Sequence, residues 1–244
     1  MTPSPTGLPP RPSPDAYEVA FHRALPHGVV SGVVLPATAE PVSDAVLERL
    51  HPDEAAHART LAGFRQTSFV GGRLALRAAR RQVGAPLGPV LPDPRGTPTL
   101  EGDWVVSVSH KTTLAVGMAA RAADGTLGVD LEDRLPERLR IADRVLRPAE
   151  LAALADLPPH RAWQALLLRF SLKESIYKAL DPYVRRYVGF HEAEVDVGTD
   201  GRAGVFLHLA QGEGPFAVDA RYTWLPGRVL TSVRIRPDVA GNAG

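Results

Sequence analysis

The chain has 244 residues, room for one large domain or two small ones, and 28 Lys and Arg against 27 Asp and Glu leave a formal net charge of +1. That balance excludes the broad basic excess of bulk nucleic-acid binding, and the lack of cysteine excludes disulfides, thiolate metal sites and cysteine nucleophiles. No apolar run is long enough to span a bilayer, so the expectation is a cytoplasmic protein with no membrane or nucleic-acid partner.

Residues 1–15 are rich in Pro, Ser and Thr, lack the basic and apolar regions of a secretory signal, and read as a disordered tail. Short apolar stretches at 17–25 and 29–35 predict strands. Ser43 caps a predicted short helix through Leu50, and His51-Pro-Asp-Glu54 opens a second, with Pro in its first turn and acids at its positive end. Helical character runs on to about Val83, with a break predicted at Gly71-Gly72, and the Pro- and Gly-rich stretch 86–98 predicts a loop. A hairpin follows, with strands at 104–109 and 114–120, then a turn at Asp124-Gly125 and a strand at 126–132. Pro148 opens a short helix and 160–180 form a longer one. From 191 to 235 strands alternate with turns at 199–201, 212–214 and 226–227. This order predicts an α+β fold of two similar lobes, 16–125 and 126–244, each a small, mainly antiparallel sheet packed with helices, related by a pseudo-twofold. The duplication rests on element order, since no repeat at the level of residues is visible.

Four segments carry candidate chemistry. In the strand Gly128-Val-Asp-Leu-Glu132, alternation places Asp130 and Glu132 on one face. Two adjacent carboxylates repel unless a proton or cation separates them, and a hard divalent ion accepts such ligands; an exposed acidic face fits the same residues. In the helix around Phe170-Ser-Leu-Lys-Glu-Ser-Ile-Tyr-Lys178, a step of about 100° per residue puts Trp163, Leu166, Leu167, Phe170 and Tyr177 on one stripe with Glu174 in its middle. A carboxylate there needs a lysine, a proton or a metal, and Lys178, one turn on, also reads as an ordinary helix-surface partner. Ser109-His110 ends a strand at a hairpin mouth, where binding residues and plain surface residues both occur. Arg65 and Arg73 lie on neighbouring faces of a helix whose Gly71-Gly72 permits close approach, among other arginines that favour a solvated face.

Together these segments resemble the phosphopantetheinyl transferase superfamily, whose pattern is a G-x-D-x-E strand followed about forty residues later by [FW]-S-x-K-E-S-x-x-K. Gly128, Asp130, Glu132, Phe170, Ser171, Lys173, Glu174, Ser175 and Lys178 meet every fixed position, and Arg65, Gly72-Arg73 and Ser109-His110 match the two-lobed, enterobactin-synthase-activating branch. The resemblance covers roughly residues 50 to 180. It implies a usually monomeric holo-acyl-carrier-protein synthase type of enzyme with its active site between the lobes. Phosphopantetheine would pass from coenzyme A to a serine of an apo acyl or peptidyl carrier protein, releasing 3',5'-ADP. By the same resemblance Asp130, Glu132 and Glu174 hold Mg2+, or Mn2+ in its place, and Glu174 is the general base. Lys178 binds pyrophosphate and Lys173 supports it, while Arg65, Arg73, Ser109 and His110 hold the 3'-phosphate and adenosine. In this branch Gly96-Thr97-Pro98 is often followed by Trp-Pro, where Thr99-Leu100 stands here. Some relatives carry a phosphate-binding lysine near Thr97, and Arg95 is the nearest substitute. Arg134, Arg138, Arg140, Arg144 and Arg147 form a basic run, a candidate docking surface for an acidic carrier and equally a solvated segment. The alternatives are another Mg2+-dependent phosphoryl-transfer enzyme, for which no Walker or kinase-type glycine loop is visible, and a non-catalytic coenzyme A or carrier-binding module of the same fold.

Overall fold

The computed structural model describes residues 17–238; the expected Pro-rich tail, 1–15, lies outside the described residues. The chain opens with a hairpin, β1 (Val19–Leu25) and β2 (Gly28–Val34), then three helices, α1 (Asp44–Leu47), α2 (Pro52–Arg59) and α3 (Gly63–Gln82). Two short strands, β3 (Leu91–Pro92) and β4 (Pro98–Thr99), precede the hairpin β5 (Trp104–Lys111) and β6 (Leu114–Arg121). The second half runs through β7 (Thr126–Asp133), α4 (Ala142–Val145), α5 (Pro148–Ala155), α6 (Pro159–Val184), β8 (Ala193–Val197), β9 (Arg202–Leu207), β10 (Phe216–Leu225) and β11 (Arg228–Pro237). Among the described residues no helix is long and apolar enough to cross a membrane.

The strands form two antiparallel sheets of order β1-β2-β6-β5 and β7-β11-β10-β9-β8, besides the β3-β4 pair. Each half repeats one path: a strand, helices, then a hairpin whose second strand returns beside the first. In this path β2, α3, β5 and β6 correspond to β7, α6, β10 and β11. Helix α3 covers one face of the first sheet, where Val33 and Ala115 meet Val70, Leu74 and Ala75. Helix α6 covers the second sheet through Leu166, Leu172, Ile176 and Ala179. The uncovered faces pack on each other, Val30, Val116 and Met118 against Val129, Leu131 and Leu230. Burying these aliphatic side chains at about 25 cal/mol per Å2 is the main force that joins the halves.

The expected helix break at Gly71-Gly72 does not occur: α3 runs through it, and the break falls at residues 60–62. A Cβ at Gly71 would lie 2.0 Å from Leu35 Cδ2, so this glycine brings helix and sheet into contact rather than interrupting the helix.

A repeat at the level of residues also appears. Helices α2 and α5 begin alike, with Pro at the first position and a buried Glu at the third. The Glu54 carboxylate accepts from the backbone N–H of His51 (3.1 Å) and, far along the chain, of Val90 (2.8 Å). Glu150 accepts from Arg147 N–H (2.8 Å) and Val195 N–H (2.9 Å). Each acid thus caps its own helix and pins a distant segment to it. Each also has a buried cation nearby on the following long helix, Arg73 for Glu54 and Lys173 for Glu150.

Candidate functional site

The edge strands β5 and β7 lie side by side and run parallel. Ser107 Oγ accepts from the backbone N–H of Val129 (3.0 Å) and Ser109 Oγ from that of Leu131 (3.3 Å), so the same offset holds across two steps. Side-chain hydroxyls here replace a β-ladder. Opposite them, Gly128 presses on α6: a Cβ there would sit 1.8 Å from the carbonyl oxygen of Ser175. Only glycine lets β7 come this close to the helix, and the closeness places Asp130, two residues on, against α6.

Asp130 is buried and fully engaged. Its Oδ1 accepts from Ser109 Oγ and Lys178 Nζ, both at 2.8 Å, and its Oδ2 accepts from Ser171 Oγ at 2.9 Å. Glu132, on the same face, pairs with Lys111 Nζ at 2.5 Å. Burial and then the charge of Asp130 push the Glu132 carboxyl up to about 7, against the pull of Lys111 and Lys178. Burial and Asp130 also raise Glu174, while Lys178 and Lys111 draw it down. His110 is held below its ordinary value by desolvation and then by Lys178 and Lys111. One electrostatic cluster therefore couples Asp130, Glu132, Glu174, Lys111, Lys178 and His110.

Two cavities flank this cluster. The first, about 450 Å3, is lined by His57, Phe64, Arg65, Phe69, Gly72, Arg73, Pro92, Gly96 and His110. The second, about 550 Å3, is lined by Arg138, Arg144, Phe170, Glu174, Tyr177, Tyr187 and Phe190, with Arg95 and Asp181 in its wall. Phe170, Glu174, Tyr177 and Asp181 form one stripe of α6 that faces the cavity, so the expected stripe divides: its C-terminal part lines the cavity, while Trp163, Leu166 and Leu167 are buried in the core. Leu172 and Ile176, on other faces, also fill the core. Tyr177 Oη donates to the carbonyl of Gly189 (3.1 Å), which fixes the ring against Phe190.

Three sequence expectations change. Lys173 is not at the cluster: it is completely buried and donates to Glu150 Oε2 (2.6 Å), Val145 O (2.8 Å) and Phe190 O (3.0 Å). All three donors of its ammonium are used, so none is left for a phosphate. The Ser109 hydroxyl is committed to Asp130 and Leu131 and orients the acid instead of facing a ligand. Arg73 lines the first cavity, yet its Nε donates to Val90 O and its guanidinium lies over the Phe69 ring, 4.4 Å from the centroid. Burial lowers it to about 10, partly offset by Glu54, and it stays charged at neutral pH. Arg65 and His110 do line that cavity.

The sequence reading passed over Lys111 as a site residue, although it follows His110 and is one of only three lysines. It also passed over Phe69, whose signal was its position between Arg65 and Arg73 at helical spacing.

Asp130, Glu132 and Glu174 are hard oxygen donors; burial, and after it the charge of Asp130, raises Glu132 and Glu174, a setting in which a cation would be welcome. In chemistry the set fits Mg2+. In geometry, no group of three or more His, Asp or Glu side chains that could hold a metal ion is gathered among the described residues, and the neutralising charges on Asp130 and Glu132 are ammonium groups.

Two family descriptions match the chain: the 4'-phosphopantetheinyl transferase superfamily over residues 126–224 and the 4'-phosphopantetheinyl transferase N-terminal domain over 53–120. The chain is 36% identical over 189 residues to 4'-phosphopantetheinyl transferase Svp of Streptomyces mobaraensis, covering 76% of this chain and 75% of that protein. It is 31% identical over 226 residues to 4'-phosphopantetheinyl transferase PptT of Mycobacterium tuberculosis, covering 84% and 98%. A holo-(acyl-carrier-protein) synthase structure from Bacillus anthracis aligns with 46% of this chain and 96% of its own at 17% identity, with a TM-score of 0.39.

Proposed function

The chain belongs to the 4'-phosphopantetheinyl transferase superfamily, and from that premise we propose that the cleft at the seam of its two halves transfers phosphopantetheine from coenzyme A to a carrier-protein serine. The observation that carries this reading is the cluster of three acids and two lysines between two cavities of different character. Coenzyme A has a charged nucleotide end and a neutral amide arm. The cavity with Arg65, His110 and the Phe69 ring suits a phosphorylated nucleoside: cations for phosphate and an aromatic face for a base. The cavity with Phe170, Tyr177 and Phe190 suits the arm and ends on Glu174.

In the reaction, the serine Oγ–P bond forms as the bond from phosphorus to 3',5'-ADP breaks. Glu174 takes the serine proton, directly or through a water, and its raised pKa brings it toward the working range of a general base. Lys178 and Lys111 lie where charge gathers on the phosphoryl oxygens and leaving group. Ser109 and Ser171 hold Asp130 in one orientation. When bound, Mg2+ would be held by Asp130, Glu132 and Glu174 and would supply neutralisation of pyrophosphate charge. One chain furnishes both walls of the cleft, consistent with action as a monomer.

The carrier would dock on the basic segment after β7. Arg138 and Arg144 line the arm cavity and Arg140 is exposed, beside the exposed Leu135 and Leu139. Arg147 is turned inward to Glu194 (3.3 Å) and Arg134 stacks over Trp224, so the docking face is narrower than the sequence run. The test is purified protein with coenzyme A, Mg2+ and apo-carrier proteins, read by mass. Gain of the phosphopantetheine mass is expected, with kcat falling about 10²–10⁴-fold in Glu174→Gln. No mass gain on several carriers would refute the reading.

A further inference from the structure

The two cavities are separated by the connection between β3 and β4, residues 93–97. Asp93 Oδ1 accepts from the backbone N–H groups of Arg95 (2.8 Å) and Thr97 (2.9 Å), and Gly96 takes a positive φ of 86°. This builds a tight turn but does not say where the turn points. Its direction comes from the other half of the chain. Asp181, on α6, accepts from Arg95 Nε (2.8 Å) and Nη2 (2.6 Å) on Oδ1, and from Thr97 Oγ1 (2.8 Å) on Oδ2. One carboxylate thus holds two side chains of the turn. Gly96 and Pro92 form part of the wall of the nucleotide cavity, while Arg95 and Asp181 form part of the wall of the arm cavity. The turn is a partition, and Asp181 is the post it is fixed to.

We propose that Asp181 is a positioning residue for coenzyme A: by holding Arg95 and Thr97 it sets the partition between the nucleotide and arm cavities. The inference rests on the reading of these cavities given above. It assigns Arg95 a task different from direct phosphate binding, because two of its guanidinium nitrogens are committed to Asp181. Two guanidinium nitrogens converging on one carboxylate oxygen, with Thr97 on the other, fix a plane and direction that a single ammonium contact would lack. Asp181 also shares its helical stripe with Glu174, so partition and base are carried by one rigid element.

The experiment measures binding of 3',5'-ADP by calorimetry and steady-state kinetics with coenzyme A and apo-carrier. The parent is compared with Asp181→Asn, Arg95→Ala, the double variant and Asp181→Glu. Asp181→Asn is expected to weaken 3',5'-ADP and raise the KM for coenzyme A about tenfold, with kcat and the KM for carrier within about threefold. Arg95→Ala should match it, the double variant should be no worse than either single one, and Asp181→Glu should recover part of the loss. Unchanged or tighter nucleotide binding in Asp181→Asn would overturn the proposal, as would Arg95→Ala losses that add to those of Asp181→Asn. Failure of the parent to bind 3',5'-ADP would instead overturn the underlying assignment of the cavities.

Discussion

Replacing Lys173 by methionine separates a structural role from a phosphate-binding one. The residue lies in the motif segment of α6, yet its ammonium is fully buried among Glu150, Val145 O and Phe190 O. Methionine keeps most of the volume and removes the charge. Glu150 would keep its backbone donors from Arg147 and Val195 but lose its cation. Breaking a buried pair by removing one partner costs about 3–5 kcal/mol, a large share of the roughly 5–15 kcal/mol that stabilises a typical protein. For a chain of this size that is a fall in Tm on the order of 10 °C. Removing both charges in Lys173→Met/Glu150→Gln should recover part of the loss, since a neutral pair leaves no stranded ion. Thermal and urea unfolding give the stabilities, and the KM for coenzyme A, measured well below the lowered Tm, should stay within about twofold of the parent. A Lys173→Met protein that kept its Tm within about 2 °C and showed a raised KM for coenzyme A would refute the structural assignment and restore the phosphate role.

Other outcomes follow from the same contacts. Ser109→Ala strips a hydroxyl from Asp130 and from the buried N–H of Leu131, and should cost about 1–3 kcal/mol in urea unfolding together with a drop in kcat. Gly128→Ala drives a methyl group into Ser175 O, so β7 must leave α6, and loss of both stability and activity is expected by calorimetry and assay. Arg140→Glu with Arg144→Glu should raise the KM for carrier and leave binding of 3',5'-ADP unchanged; an unchanged KM for carrier would remove the docking assignment. Glu192 is held down to about 2 by Arg186, which also binds Glu213. A depressed carboxyl stabilises the fold above its unfolded pKa near 4.5 and loses that contribution as pH falls toward 2. Glu192→Gln should therefore flatten the fall of Tm between about pH 4.5 and 2.

The shared face of Asp130 and Glu132 was legible in the sequence because a strand has a strict period of two, and the family pattern tied them to Glu174 and Lys178 on α6. The Glu174 stripe was legible in position but not in orientation: helical spacing grouped Glu174 with Phe170 and Tyr177 without telling a cavity wall from a core. Lys173 was misplaced because a lysine next to a motif glutamate reads as functional until its surroundings are known, and Glu150 lies 23 residues away. The repeat of His51-Pro-Asp-Glu54 in Arg147-Pro-Ala-Glu150 went unseen for a related reason. Only two of four residues agree, and what recurs is a carboxylate reaching a distant backbone N–H. Gly71 misled in the opposite sense, since its small size serves a contact with Leu35 that no local rule contains.

The serine contacts between β5 and β7 have a mechanical consequence. Because Ser107 and Ser109 meet backbone groups two residues apart at one offset, the halves cannot creep past each other by small amounts. The next matching alignment is a slip of two residues, about 6.6–6.8 Å along the strand; in the direction that sets Ser109 against Val129, Lys111 comes opposite Leu131 and Asp130 is left without its hydroxyl. Alignment of the cleft is therefore digital: it is correct or it is wrong by a whole step, and thermal strain in the sheets does not blur the placing of the acids against His110.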